Sequence, residues 1–328
     1  MIRFLLRLCL AVLLMAGLAV GVFYWWASGR IAAPGPAREP VIVQIPRGTS
    51  IGGMGQMLEA RGVIDSALLF ELAAQMAGAK PLRAGEFQFP ARASIAAAVD
   101  VLQNGKPVQH KITVAEGLTV AEVLALVRAL DLLDGEITLK PEEGTLLPQT
   151  YFYIWGDSRD ALLQRMRQAM TETLNELWAK RQAGLPLNVP REALILASIV
   201  EKETGIAAER ARVAGVFVNR LRANMKLETD PTVIYGLTRG QKPLGRELQR
   251  PDLQVETPYN TYRIVGLPPG PIANPGRAAI EAALNPAATN ELFFVADGSG
   301  GHAFAETIDQ HNKNVEKWRQ IRKDRRQP

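Results

Sequence analysis

The sequence predicts an α+β chain: an N-terminal membrane-spanning helix, a small α+β module, and a larger mixed helical and loop-rich domain. Three observations carry this. Residues 8–26, LCLAVLLMAGLAVGVFYWW, form an uncharged run of 19 residues. Residues 41 to about 150 alternate short β-branched runs with amphipathic segments that follow Ser or Thr caps. From about residue 158 the apolar period becomes helical, and only the Pro-, Gly-, Asn- and Tyr-rich stretch 225–275 interrupts it.

The N-terminal run is preceded by Arg3 and Arg7 and ends in Tyr24, Trp25 and Trp26. As a helix its 19 residues span roughly 28 Å, which matches the hydrocarbon core of a bilayer. The two arginines predict a cytoplasmic tip at 1–7, and the aromatic residues a far-side belt. A cleaved signal peptide is the alternative, with Ala27-Ser28-Gly29 as a small-residue site. The apolar run is longer than such peptides need, which favours a retained anchor at 8–26. Either way the bulk of the chain is expected outside the cytoplasm. Residues 27–40, with Pro34, Pro36 and Pro40, read as a stiff linker.

Charge and composition then exclude several classes. The chain carries +5 in 328 residues, with a pI near 9.4. The last 16 residues hold seven basic and two acidic side chains, so the basic balance sits at the two ends. That argues against a nucleic-acid-tracking surface on the body. Cys9 is the only cysteine, so an intrachain disulfide and a paired-cysteine metal or redox site are excluded. Only His110, His302 and His311 could offer imidazole ligands, and no phosphate-binding glycine loop is present; no metal or other cofactor is expected.

Along the module, Val41–Ile45 alternates as a strand and leads through Pro46-Arg-Gly-Thr-Ser50 into a helix from Ile51 to Arg61, stopped by Gly62. Lys111–Val114, Ala115-Glu-Gly-Leu-Thr119 and a helix from about Val120 to Leu130 repeat that order. Between them Ser66 caps a helix ending near Gly78, Gly85–Phe89 reads as a strand closed by Pro90, and Ser94 caps a short helix. Farther on, helices are expected over Asp160–Lys180, from Pro190 to Gly205, and over Ala207–Asn224. Leu292–Val295 reads as a strand, and a last helix carries the basic tail. The stretch 225–275 has no helical period and reads as a linker or a loop-built cleft.

The segment Leu194–Gly205 holds the candidate chemistry. Leu196, Ile199, Val200 and Glu203 share one helix face, so three apolar side chains run into a carboxylate. Glu201 lies about 200° away. A carboxylate that ends an apolar stripe is desolvated, its pKa rises, and it can act as an acid at neutral pH. The same spacing also suits a helix-end glutamate paired with Lys202 or Arg210.

The blocks Ala197–Glu203, Val216–Leu221, Asp230–Tyr235, Tyr259–Tyr262, Gly266–Ile272 and Phe294–Asp297 resemble, in order and spacing, the YceG-like (MltG) family of endolytic murein transglycosylases. Glu143–Pro148 with Thr150-Tyr151 resembles that family's domain junction, and residues 41 to about 90 its LysM-like module. The resemblance implies a LysM-like module at 41–106, a second α+β unit and junction at 107–157, a catalytic domain at 158–312 and a basic tail at 313–328. It implies a lyase acting within nascent peptidoglycan strands and so limiting their length. One glutamate protonates the oxygen between N-acetylmuramic acid and N-acetylglucosamine, then accepts the muramic 6-hydroxyl proton as a 1,6-anhydro ring closes.

Glu203, followed by Thr204, fits that role better than Glu201, followed by Lys202. Substrate contacts are expected from Glu201, Asn219, Arg220, Asp230, Tyr235, Tyr259, Asn260 and Tyr262. Tyr259 and Tyr262 offer flat faces to sugar rings or pack in the cleft wall, Asn219 and Asn260 offer amides to N-acetyl groups or brace caps and loops, and Arg220 offers a fork to substrate carboxylates or pairs with an acid in the fold. Asp230 before Pro231 reads equally as a turn. His302 reads as structural, since the lyase route needs no histidine. The family suggests penicillin-binding proteins or other wall synthases as partners. A non-catalytic wall-binding scaffold, or a hydrolase using Glu203 with Asp230 or Glu201, are the rival readings. The tail serves either to complement a helix C-terminus or to meet anionic wall polymer or lipid.

Overall fold

The structure, a computed structural model, describes residues 2–78 and 80–324, without the side chains of residues 2 and 3. The end of the expected basic tail, with Arg325 and Arg326, lies outside the described residues, as does the side chain of Arg3.

The first helix, α1 (Ile2–Ala32), is long and apolar enough to cross a membrane. It does not stop at Trp26. Nothing from Ala27 to Ala32 breaks a helix, and the first proline is Pro34, so the start of the stretch read as a linker is helical. Ala27 is buried, Ile31 packs on the core of the module, and Arg30 pairs with Asp65.

The chain divides into two compact units, Met1–His110 with Tyr153–Gly156, and Lys111–Phe152 with Asp157–Pro328. In the first, β1 (Val41–Ile45) pairs antiparallel with β2 (Gly85–Phe89), Val43 opposite Phe87. Val43, Ile45, Phe87 and Phe89 are buried among side chains of α2 (Ile51–Ala60), α3 (Ala67–Met76) and α4 (Ile95–Asn104). Each of these helices starts at a serine whose hydroxyl accepts a backbone N–H three residues on: Ser50 from Gly53 at 3.1 Å, Ser66 from Leu69 at 3.3 Å, Ser94 from Ala97 at 3.1 Å. The caps at Ser66 and Ser94 are therefore where the sequence places them, and Ser50, read only as the end of a turn, is a third.

The chain passes between the units within β3 (Gln109–Thr113) and β4 (Thr150–Ile154), which pair with each other. In the second unit α5 (Val120–Arg128) opens on a capping box of Thr119 and Glu122. Then come α6 (Arg159–Ala179), α7 (Pro190–Glu203), α8 (Arg210–Arg222), α9 (Asp230–Thr238) and α10 (Arg277–Leu284). A hairpin of β5 (Phe293–Ala296) and β6 (His302–Ala305) leads into α11 (Ile308–Asp324).

Helix α7 is the axis of this unit. Every residue from Ala193 to Val200 is buried, and α6, α8, α9 and α10 pack around it. Such all-round burial needs small residues, and Ala193, Ala197 and Ser198 provide them; the Ser198 hydroxyl donates to Ile195 O at 2.7 Å and accepts from Ile272 N at 3.0 Å. At about 1.5–3 kcal/mol for each large apolar side chain, the buried stripe of Leu196, Ile199 and Val200 holds the helix end firmly.

Four elements depart from the sequence reading: β4, where no strand is expected, α9, α10 and β6. Within 225–275, expected to lack helical structure, Asp230–Thr238 is the helix α9. Pro231 sits in its first turn and is tolerated there, while Gly236 and four β-branched residues, Thr232, Val233, Ile234 and Thr238, hide the helical period. Helix α10 is short at eight residues, and β6 is shorter still.

Candidate active site

Helix α7 ends at Glu203 because Thr204 turns to an extended conformation (φ −139°, ψ 128°). The apolar stripe beneath it is anchored in the core, so the Glu203 carboxyl is carried inward rather than out to water. It lines a cleft of about 420 Å³ with Arg220, Glu228, Asp230, Tyr262 and His311, closed on one side by Phe294, Val295 and Val315.

Within the cleft the Thr229 hydroxyl donates to Glu203 Oε1. Thr229 is itself fixed: its N–H donates to Thr261 Oγ1 at 3.0 Å, and Thr232 Oγ1 meets both Thr229 O at 2.7 Å and Thr261 Oγ1 at 2.8 Å. All three threonines are buried. Loss of solvent pushes the Glu203 carboxyl up from 4.5 to about 7. The Thr229 donor pulls the other way, and the negative charge of Asp230 adds to the rise. The Tyr262 hydroxyl donates to Asp230 Oδ1 at 2.8 Å, and burial holds its own pKa above the usual phenol value. The site therefore offers one carboxyl poised between acid and base at neutral pH, with a second carboxylate, bonded to a tyrosine, in the same cleft.

Arg220 is 8% exposed and lines this cleft, but most of its donors are committed. Its Nε reaches Leu292 O at 2.6 Å, and its Nη1 reaches Leu227 O at 2.9 Å, Lys226 O at 3.2 Å and Glu228 Oε2 at 3.3 Å. It ties the β5 strand to the loop before α9 and presents its charge to Glu203 from a fixed place.

Thus Glu203, Arg220, Asp230 and Tyr262 come together, whereas the other expected residues do not line this cleft. Glu201 points elsewhere and accepts from Gly276 N at 2.9 Å, which fastens the start of α10. The Asn219 amide donates to Thr289 O at 2.7 Å and Glu291 O at 3.1 Å. Asn260 is fully buried; it donates to Leu253 O at 3.0 Å and Val255 O at 2.7 Å and accepts from Tyr262 N at 3.0 Å. Where substrate contacts were expected, the polar groups of Glu201, Asn219 and Asn260 brace backbone. The rings of Tyr235 and Tyr259 pack against each other, tilted by 53° with centroids 4.8 Å apart, and the Tyr235 hydroxyl donates to Glu143 at 3.3 Å.

His302 Nδ1 lies 2.7 Å from Glu209 Oε2, and its N–H donates to Glu209 Oε1 at 3.0 Å, so it is held by the fold. Sequence reasoning missed Thr229, Glu228 and His311. Thr229 carried a usable signal, since it directly precedes the Asp-Pro that opens α9. His311 carried none, because its place depends on how the β5–β6 hairpin sets α11. Among the described residues no group of three or more His, Cys, Asp or Glu side chains is arranged to hold a metal ion.

A sequence model of the YceG-like family matches residues 43–317. The endolytic murein transglycosylase of Bacillus subtilis (strain 168) is 30% identical over 315 residues, covering 86% of this chain and 86% of that protein. The endolytic murein transglycosylase of Streptococcus pneumoniae serotype 2 is 28% identical over 328 residues, covering 85% of this chain and 58% of the longer relative. The crystal structure of a yceG-like protein from Listeria monocytogenes matches with a TM-score of 0.50 and 29% identity, covering 84% of this chain and 99% of the other.

Proposed function

The chain belongs to the YceG-like family, and from that premise we propose that it is an endolytic murein transglycosylase whose acid and base is Glu203. The observation that carries the assignment is the enclosed Glu203 carboxyl, raised to about 7 at the end of an apolar stripe and held by one hydroxyl. Protonated, it gives its proton to the oxygen that leaves muramic acid. Deprotonated, and stabilised by the Thr229 hydroxyl, it takes the proton of the muramic 6-hydroxyl, which closes the 1,6-anhydro ring without water. Arg220 contributes positive charge, and Tyr262 with Asp230 a hydrogen-bonding wall against the sugar.

The wider reading is part of the same proposal. Helix α1 anchors the chain in the inner membrane with Arg3 and Arg7 on the cytoplasmic side and the bulk in the periplasm. The first unit serves as a LysM-like module, cleavage falls within nascent strands and limits their length, and wall synthases such as penicillin-binding proteins work beside it.

One assay tests the activity. Purified sacculi are digested with the full chain in detergent, and the products are weighed. Products lighter than hydrolytic ones by one water, with anhydromuramic ends, are expected. Reducing ends with water added would instead favour a two-carboxylate hydrolase, the reading that Asp230 in the same cleft keeps in play. Binding without any release would favour a wall-binding scaffold.

A further inference from the structure

The reading above leaves one built feature without a role. Two depressions, of about 500 and 460 Å³, share Tyr235; the first lies at the C-terminal end of α9, and the second runs along the helix from Pro231 to Thr238. The first is lined by Arg128, Lys140 and Arg239, the second by Lys202, Lys242 and Arg246. Each contains one acid, and both acids are already committed. Glu122 closes the capping box of α5, and Glu143 accepts from Val120 N at 2.8 Å and from the Tyr235 hydroxyl at 3.3 Å.

Two of the six cations are also committed: Lys202 Nζ donates to Gly117 O at 3.2 Å, and Arg246 grips Asp252 at 2.6 and 2.8 Å. The remaining four, Arg128, Lys140, Arg239 and Lys242, have no carboxylate partner among the described residues. Arg239 is also pre-positioned. It sits in the left-handed region (φ 53°), with its guanidinium 5.2 Å from the Tyr259 ring centre, and Tyr259 packs at a tilt against Tyr235. Beside it Gly240, φ 68°, lies so close to Tyr235, Glu143 and Thr119 that a Cβ would meet each within 3.1 Å, and its carbonyl accepts from the Thr119 hydroxyl at 2.8 Å. The floor is rigid, and the charges above it are free.

The other end of α9 has the opposite sign. Asp230 starts the helix inside the cleft that also holds Glu203 and Glu228, and the one arginine there, Arg220, is largely occupied by carbonyls. The nine residues of α9 rise about 13 Å from Asp230 in the cleft to the end beside Arg239. Peptidoglycan has matching chemistry: neutral sugar rings at the scissile bond, and peptide stems that end in carboxylates beside it. An acidic cleft repels those carboxylates, and a basic groove one helix-length away attracts them.

We infer that the groove at the C-terminal end of α9 binds the carboxylates of the peptide stems carried by the glycan, so that the enzyme prefers strands bearing peptides. This rests on the murein-cleaving reading of the Glu203 cleft.

The test compares two substrates: glycan strands with their stem peptides, and the same strands stripped of peptides by an amidase. The full chain in detergent is compared with Arg128→Gln/Arg239→Gln. The wild-type protein is expected to cleave peptide-bearing strands faster. The ratio of kcat/KM on the two substrates should fall about tenfold in the variant, the effect of losing roughly one charge-assisted contact, mainly through KM. In high salt the wild-type ratio should fall toward that of the variant. Lys140→Gln/Lys242→Gln alters only exposed residues off the packed floor and should lower the ratio in the same direction, which separates the effect from misfolding. An equal loss on both substrates, or an unchanged ratio in both variants, overturns the inference. If the wild-type protein releases no anhydro product from either substrate, the reading of Glu203 has failed instead. Calorimetric binding of a disaccharide-tetrapeptide against the bare disaccharide then decides the groove: a preference lost in the variant supports it, and no preference overturns it.

Discussion

Two glutamates two residues apart at the end of α7 have opposite fates. Glu201 and Glu203 are both partly buried, and both carboxyls are raised chiefly by lost solvation. Around Glu201 the fold places a backbone donor, Gly276 N, an opposing acid, Glu116, and the positive charges of Arg210 and Lys202. Around Glu203 it places one hydroxyl donor, an opposing acid, Asp230, and Arg220 and His302, which favour the carboxylate. The neighbours are alike in kind; what differs is that Glu203 loses enough solvent to be raised to about 7 and opens on the cleft, whereas Glu201 is spent on the backbone of α10. The 200° between them on the helix is enough to send one to the start of α10 and the other into the cleft.

The largest expected effect follows directly. Glu203→Gln should abolish release of anhydromuropeptides with an unchanged far-ultraviolet circular dichroism spectrum. It should also reverse a pH dependence of stability. A carboxyl whose folded pKa of about 7 exceeds its unfolded value of 4.5 favours the fold below 4.5, and that contribution is lost as pH rises to 7. The loss is on the order of 2–3 kcal/mol. Denaturant unfolding at pH 5 and pH 8 should therefore show the variant gaining on the wild-type protein at the higher pH; a parallel response at both would mean that Glu203 ionises normally.

Thr229→Val comes next. Its hydroxyl favours the carboxylate, so its loss pushes the Glu203 pKa higher and leaves the side chain less well oriented. We expect kcat to fall about tenfold, the cost of one hydrogen bond to a charged group, with the alkaline limb of the rate profile moving up. Thr229→Ser keeps the donor and should restore both. A variant that is slower with an unshifted limb would reduce Thr229 to packing.

At Glu201 the effect should be on stability rather than on rate. Glu201→Gln keeps an acceptor for Gly276 N, and cleavage should stay within about threefold of wild type. Glu201→Ala leaves that buried N–H unpaired and should cost about 1–3 kcal/mol in denaturant unfolding. Complete loss of cleavage in Glu201→Gln, with Glu203→Gln still active, would exchange the roles of the two residues.

This contrast was half legible in the sequence. The apolar stripe Leu196, Ile199, Val200 points at Glu203 through helical period alone, and the serine caps of α3 and α4 were readable for the same local reason. What answers each glutamate was not. Thr229 and Gly276 approach α7 from 26 and 75 residues away, measured from Glu203 and Glu201. Asn219 and Asn260 have the residue type of sugar ligands as well as of braces, and only the fold shows their amides on the carbonyls of Thr289 and Val255. Helix α9 escaped because nine residues with Pro231, Gly236 and β-branched neighbours carry too little period to outweigh a loop-like composition.

Asp230→Asn should have the smallest effect, and it discriminates most sharply between chemistries. In a lyase Asp230 only tunes its neighbour. Its negative charge helps to raise the Glu203 pKa, so the neutral amide should lower that pKa and move the alkaline limb of the rate profile down by a fraction of a unit, opposite to Thr229→Val. The asparagine oxygen still accepts from the Tyr262 hydroxyl, so the cleft wall stays in place. A hydrolase would need Asp230 to activate water, and the same substitution would then remove activity as completely as Glu203→Gln does. Near-normal cleavage with a small downward shift is what a single-carboxylate site requires, because the muramic 6-hydroxyl, rather than water, is the nucleophile and Glu203 takes its proton.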